Sequence, residues 1–248
     1  MIKDFFVAIK MYSKALFLIK KLHLWKCFLI PAFISLVLGI LLSLSIYCLS
    51  NDIGFSIARF YPFSFGKEII TSAGTILGGL IILGIGIVLY KHIVMALSAP
   101  FMAPLSEKVE EHLTGVDCKM PSMKESLVRG IRINIRNLFF ELCIVIPCTI
   151  LAFIPVIGIV FTLISFLTQS YYAGFGNMDY TLERHLKYQH SINFVKQNRF
   201  TAIGNGVLYT LVLLIPFVGI IFILPISTVA ATISTLEKLN VDPKKLYV

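Results

Sequence analysis

Three arginines, Arg129, Arg132 and Arg136, fall at i, i+3 and i+7, a spacing that puts three guanidinium groups on one helix face. Such a stripe either gathers small anions at a pore mouth or binds anionic lipid headgroups. Its place just before an apolar block favours lipid. Glu141 lies a little way into that block, where an ionisable group is costly unless paired. Its candidate partners are Arg136, Asn137 and Lys91. It reads either as a group that moves ions or protons or as a carboxylate at headgroup level, and the second is the plainer reading. The histidines (His23, His92, His112, His185, His190) form no metal-ligand pattern, and there is no Gly-x-Ser-x-Gly, no phosphate-binding loop and no nucleophile–base pair. No catalytic residue, metal or cofactor is therefore expected, and an enzyme is not the favoured reading.

Of the 248 residues, 57% are hydrophobic and only 14% charged, and the apolar residues come in long blocks. A soluble domain of this length needs many more charges, whereas a bilayer explains both facts. The net charge of +9 raises the question of nucleic acid. Most basic residues flank apolar blocks, however, so the positive-inside rule and anionic headgroups account for them, and no nucleic-acid partner is expected. Cys27, Cys48, Cys118, Cys143 and Cys148 make no Cys-x-x-Cys pair and read as small reduced hydrophobes.

Along the chain, residues 1–26 form an amphipathic lead-in. Phe5, Ile9, Tyr12, Leu16 and Ile19 recur at helical spacing among Lys3, Lys10, Lys14, Lys20 and Lys21. It lies either in the headgroup layer or on the protein's own cytoplasmic face. Residues 27–49 carry no charge and are long enough to cross the roughly 30 Å hydrocarbon core. A second transmembrane helix is expected over 69–98, with Gly74 and Gly78 at the spacing that lets helices approach closely. Ala99-Pro100-Phe101 is expected to break it. Cytoplasmic amphipathic helices follow over 102–137, the second opened by the capping box Ser122-x-x-Glu125.

Two apolar blocks remain, 138–175 and 202–235. Phe153-Ile154-Pro155-Val156-Ile157-Gly158-Ile159 lies in the first and Leu214-Ile215-Pro216-Phe217-Val218-Gly219-Ile220 in the second, an internal repeat. A turn between ordinary spanning helices reaches water and is polar. These are wholly apolar and their arms are short, so two re-entrant helical hairpins are expected, turning at Pro155/Gly158 and Pro216/Gly219. Lipid cannot satisfy backbone groups freed at a turn, so mutual packing of the hairpins is expected to cover them. The alternative is two ordinary helix pairs and six crossings. Of 22 basic residues, only Arg59 and Lys67 lie in the loop placed outside. Both termini are therefore expected on the cytoplasmic side of the cell's inner membrane. The expected fold is an all-α integral membrane protein with two long transmembrane helices, two re-entrant hairpins and cytoplasmic amphipathic helices.

Several of these motifs, in order and over nearly the whole chain, resemble the CysZ-type sulfate permeases of the etoposide-induced membrane protein superfamily. They are Leu29-Ile30-Pro31, then Ala99-Pro100-Phe101 with Leu105-x-Glu107-x-Val109-Glu110-x-x-Leu113-Thr114-Gly115, then the two Ile-Pro-x-x-Gly turns. The resemblance implies the same two-helix, two-hairpin fold, a homo-oligomer, and sulfate uptake for assimilation into cysteine. It also implies an anion site just before the first long helix, where the family has Gly-apolar-Arg-Arg and this chain has His23-Leu24-Trp25-Lys26. Trp25 and Lys26 remove a bidentate fork and leave a point charge. Sulfate or a related oxyanion would then be held by Lys26, a protonated His23 and backbone N–H groups. The contrasting expectation is a non-transporting member of the superfamily that shapes membranes or scaffolds partners.

Overall fold

The computed structural model describes residues 2–59, 67–116, 121–152, 154–213, 215 and 218–239. Among them the only long regular elements are helices: α1 (Ile2–Lys21), a 3-10 turn (Leu24–Phe28), α2 (Leu29–Arg59), α3 (Lys67–Thr114), α4 (Met123–Leu151), α5 (Gly158–His185), α6 (Tyr188–Gln197), α7 (Arg199–Leu213) and α8 (Val218–Lys238). Three stretches of the described residues are long and apolar enough to cross a membrane: Leu24–Leu49, Val88–Thr114 and Met123–Leu151. Cys118 and Pro216 lie outside the described residues.

The chain divides into two compact units, Ser35–Lys91 on the one hand and Met1–Ile34 with His92–Val248 on the other. In the smaller unit the Tyr90 hydroxyl donates to the Ser35 carbonyl at 2.9 Å. Tyr90 is buried. Gly74 and Gly78 are both buried.

The larger unit is built around α5, which packs against α4, α7 and α8. Its meeting with α7 is the tightest. A Cβ on Gly174 would overlap the Ala202 carbonyl, and one on Gly206 would overlap the Ser170 carbonyl. Small residues four apart on both helices, Ser170/Gly174 and Ala202/Gly206, thus let two backbones touch. The adjoining arms of the two repeats are thus packed against each other.

Helix α1 lies across α7 and α8 with Ala8, Met11, Tyr12, Ala15, Leu18 and Ile19 buried. The Tyr12 hydroxyl donates to the Asn205 carbonyl. Of the two readings of the lead-in, packing on the protein's own surface is the one observed. Leu16, expected on the buried stripe, is exposed, and Ala8 and Ala15 take the contact because they allow a close approach. Lys238 Nζ donates to Asp4 Oδ1 at 2.6 Å, which joins the two ends of the helical array.

The expected break at Ala99-Pro100-Phe101 does not occur. Helix α3 runs on through Pro100 and Pro104. Each proline removes one helical donor, but neighbours on α5 brace the stretch. The Tyr180 hydroxyl donates to the Met95 carbonyl at 2.7 Å, and Arg184 Nη1 to the Ala103 carbonyl at 3.2 Å. Met95, Ala99, Met102, Ala103 and Leu105 are all buried, and that packing outweighs the local preference. The capping box at the start of α4 is present in both halves. The helix it opens is longer than expected and continues without interruption to Leu151.

Pro155 and Gly158 mark the reversal between α4 and α5, and Gly219 falls in the first turn of α8. Among the described residues of the first reversal, Ala152 N–H bonds to the Cys148 carbonyl, Ile154 to Leu151, Ile157 to Pro155 and Gly158 to Ile154, so these four donors are satisfied locally. Ile154 and Ile157 are exposed, and Val156 is 87% exposed.

A candidate anion-binding cavity beside the first long helix

Helix α1 ends in a reversal at His23, whose backbone is left-handed (φ 50°, ψ 41°). Few side chains tolerate that region and glycine tolerates it best, which accounts for the glycine of the family pattern at this place. Histidine is among the more tolerant exceptions. The reversal turns the chain into Leu24–Phe28, pinned by buried Leu24 and Phe28. Phe28 meets Phe222 of α8 at 6.1 Å between ring centroids. Lys26 is left exposed.

A cavity of about 500 Å³ opens between this turn and the last turns of α3. His23, Lys26 and Cys27 line one side of it, and Lys108, Glu111 and His112 the other. Two lysines and two imidazoles thus face one carboxylate. An ammonium offers three rotatable donors and a compact charge, and a protonated imidazole two donors, a set suited to a tetrahedral oxyanion. Glu111 opposes that charge and makes the balance depend on the imidazoles. Histidine is the side chain whose ordinary titration falls between pH 5 and 8.

Of the four residues carried over from the family pattern, His23, Leu24 and Lys26 line the cavity, while Trp25 does not. Trp25 is exposed and stacks on Phe28 at 5.3 Å. The sequence reading missed Lys108 and His112. Their four-residue spacing on one helix was a signal that they share a face. Nothing local, however, told which segment that face meets.

The arginine stripe is largely engaged within the protein. Arg129 binds Asp179 through two nitrogens, at 2.8 and 3.1 Å, and also donates to Ser191 Oγ and the Leu186 carbonyl. Its guanidinium ties α4 to α5 and α6, and any anion would have to displace those bonds. Arg132 lies over the Tyr188 ring at 4.1 Å and stays exposed. Arg136 donates to Asn137 Oδ1 at 2.9 Å and lies near the Phe140 and Phe175 rings. Arg132 is therefore the member of the stripe most open to a lipid headgroup.

Glu141 is not a surface carboxylate. It is fully buried, and His92 Nε2 lies 2.9 Å from its Oε2. Asn205 bridges α7 to α8: its Nδ2 donates to Ser234 Oγ at 2.8 Å.

The whole chain bears comparison with known proteins at this point. Residues 11–223 match the family described as sulfate transporter CysZ/etoposide-induced protein 2.4. A protein of Pseudomonas fluorescens named sulfate transporter CysZ is 28% identical over 151 residues, which is 59% of this chain and 60% of that protein. The matched stretch thus spans about three fifths of the relative's length. With a match that runs from α1 into α8, and with helices long and apolar enough to cross a membrane, this membrane protein belongs to the sulfate transporter CysZ/etoposide-induced protein 2.4 family.

Proposed function

We propose that the protein is a permease or channel for a small oxyanion, sulfate first, serving sulfur assimilation. The cavity lined by His23, Lys26, Lys108 and His112 carries this reading, because it concentrates cationic groups at the start of α2 where the family resemblance places the anion. Lys108 and His112 add from α3 to the charge of Lys26, where Trp25 takes the place of one arginine of the family pattern. The work is binding and translocation, not bond making. Partners are the oxyanion, membrane lipids and further copies of the chain.

The proposed topology is two full crossings and two re-entrant hairpins in the inner membrane, with both termini cytoplasmic. Two observations support it. Helix α7 has 15 residues, about 22 Å at 1.5 Å each, short of a roughly 30 Å hydrocarbon core. On α5 the exposed apolar residues run only from Ile159 to Leu167, after which Ser170 to Leu182 is largely buried. A second reading, a membrane-shaping protein that transports nothing, is supported by α1, where Ile2, Phe6 and Phe17 are exposed among lysines.

Sulfate flux into liposomes carrying the purified protein tests the proposal, beside empty liposomes, Lys26→Ala and a Lys108→Ala/His112→Ala double variant. Flux that falls at least tenfold in both variants supports the permease and its site. Flux unchanged in both keeps the permease and removes the cavity. No flux above empty liposomes from folded protein overturns the transport reading for sulfate, and deformation of the vesicles in that case favours the second reading.

A further inference from the structure

The anion cavity does not use the buried His92–Glu141 pair. His92 is 2% and Glu141 0% exposed, and they stand on α3 and α4 within stretches apolar enough to span a membrane. Buried ionisable groups in such helices are costly and are kept only where they pair or carry a function.

The hydrogen-bond pattern around the ring fixes its protons. Asn134 Nδ2 donates to the Gly130 carbonyl at 2.8 Å, which turns Asn134 Oδ1 toward His92 Nδ1 at 3.2 Å. An amide oxygen only accepts, so Nδ1 carries a hydrogen. On the other side, Nε2 faces Glu141 Oε2 at 2.9 Å. With Nδ1 protonated, a neutral ring would point the Nε2 lone pair at a carboxylate lone pair. One proton must therefore lie between Nε2 and Oε2. The pair is an imidazolium with a carboxylate or an imidazole with a carboxylic acid, and in either form its net charge is zero. Removing that proton leaves two acceptors facing each other at 2.9 Å.

We propose that His92 and Glu141 form an intramembrane proton-binding site, with Asn134 as the positioning residue that holds the ring in its proton-accepting orientation. The ligand is a single exchangeable proton. Its loss leaves two acceptors in contact between α3 and α4, one turn from where Gly130 of α4 packs against Ala96 and Ala99 of α3. Tyr172 on α5 lies within electrostatic reach of Glu141, and itself faces Tyr171 on α5 and Arg136 and Cys143 on α4. Lys91, next to His92 along α3, is itself buried. The site is separate from the anion cavity and does not depend on the transport reading.

The test is nitrogen-15 NMR of the full chain, labelled at histidine and held in lipid nanodiscs, together with infrared spectra of its carboxyl groups. His92→Gln assigns the ring signal. Should that variant fail to fold, substitution of the exposed His23, His112 and His190 narrows the assignment without touching the site. The expected result is a His92 ring protonated on both nitrogens. A carboxylic-acid band that disappears in Glu141→Gln is the equivalent result. A step to higher pH then releases one proton per chain and abolishes that signal. A neutral ring bare at Nδ1 and protonated at Nε2, beside an ionised Glu141, overturns the proposal. So does a pair whose proton never exchanges while the protein stays folded. None of these readouts requires transport, so failure of sulfate flux and failure of the proton site are seen separately.

Discussion

The Arg184 guanidinium meets the Glu110 carboxylate at 2.7 Å, and both side chains are 1% exposed. The second oxygen of Glu110 takes the His185 imidazole at 2.6 Å, and Arg184 also donates to Ser106 Oγ at 2.8 Å. Ser106 in turn is 2.9 Å from the hydroxyls of Thr181 and Thr232. One buried polar network thus joins α3, α5 and α8. Such a network favours a single arrangement of helices because a partly satisfied one is worse than none.

Arg184→Met is expected to destabilise the fold by about 3–5 kcal/mol, since it leaves the Glu110 carboxylate buried without its main partner. Glu110→Gln in the same chain removes the stranded charge, so the double variant is expected to recover part of that loss. Unfolding midpoints in one detergent, for both single variants and the double, check this. A double variant at least as unstable as the sum of the two singles refutes the coupling.

Gly206→Ala and Gly174→Ala each place a methyl group inside a backbone carbonyl of the facing helix. The carbonyls of Ser170 and Ala202 cannot move aside as a flexible side chain would. Each variant is expected to cost about 1–3 kcal/mol or more and to loosen α5 from α7. Cross-linking between engineered cysteines on α5 and α7 reports the separation, and unchanged cross-linking would count against the close contact.

Val156 adopts φ 72°, a left-handed conformation that a β-branched residue tolerates poorly. With its side chain largely exposed it loses little packing when removed. Val156→Gly is expected to raise stability by about 1 kcal/mol by relieving the backbone. A melting temperature that falls in this variant would show that the valine side chain makes contacts outside the single chain.

Burial, with the Asp179 carboxylate beside it, pushes the Glu183 carboxyl up to about 7 from its usual 4.5, while Arg129 and the Ser126 hydroxyl pull the other way. The folded protein therefore binds this proton more tightly than the unfolded chain does. Stability from this group is greatest below about pH 4.5, falls as the pH rises to about 7, and is constant above. The change is up to about 3 kcal/mol at 1.36 kcal/mol per unit. Glu183→Gln is expected to be the more stable form at pH 8 and to flatten that dependence. Stability profiles of the two proteins that run parallel would refute the assignment.

Much of this architecture could be read from the order of residues. Long uncharged runs became helices, Ser122 and Glu125 set the start of α4, and the Pro155-x-x-Gly158 repeat marked a reversal. These are local signals, carried by residues a few positions apart. The reading failed where the deciding partner is distant in sequence. Nothing near Arg129 announces Asp179, fifty residues on, so the arginine stripe looked freer than it is. Pro100 looked like a stop because the bracing by Tyr180 and Arg184 comes from α5. No local pattern announces His92 as a partner of Glu141, because that contact between α3 and α4 exists only in three dimensions. The cavity was half visible for the same reason: His23 and Lys26 came from a motif, Lys108 and His112 from the folded contact.

The Lys238–Asp4 bridge fixes more than the ends of a bundle. It clasps the first helix to the last across 234 positions of the chain, so neither α1 nor α8 can leave the array without parting the pair.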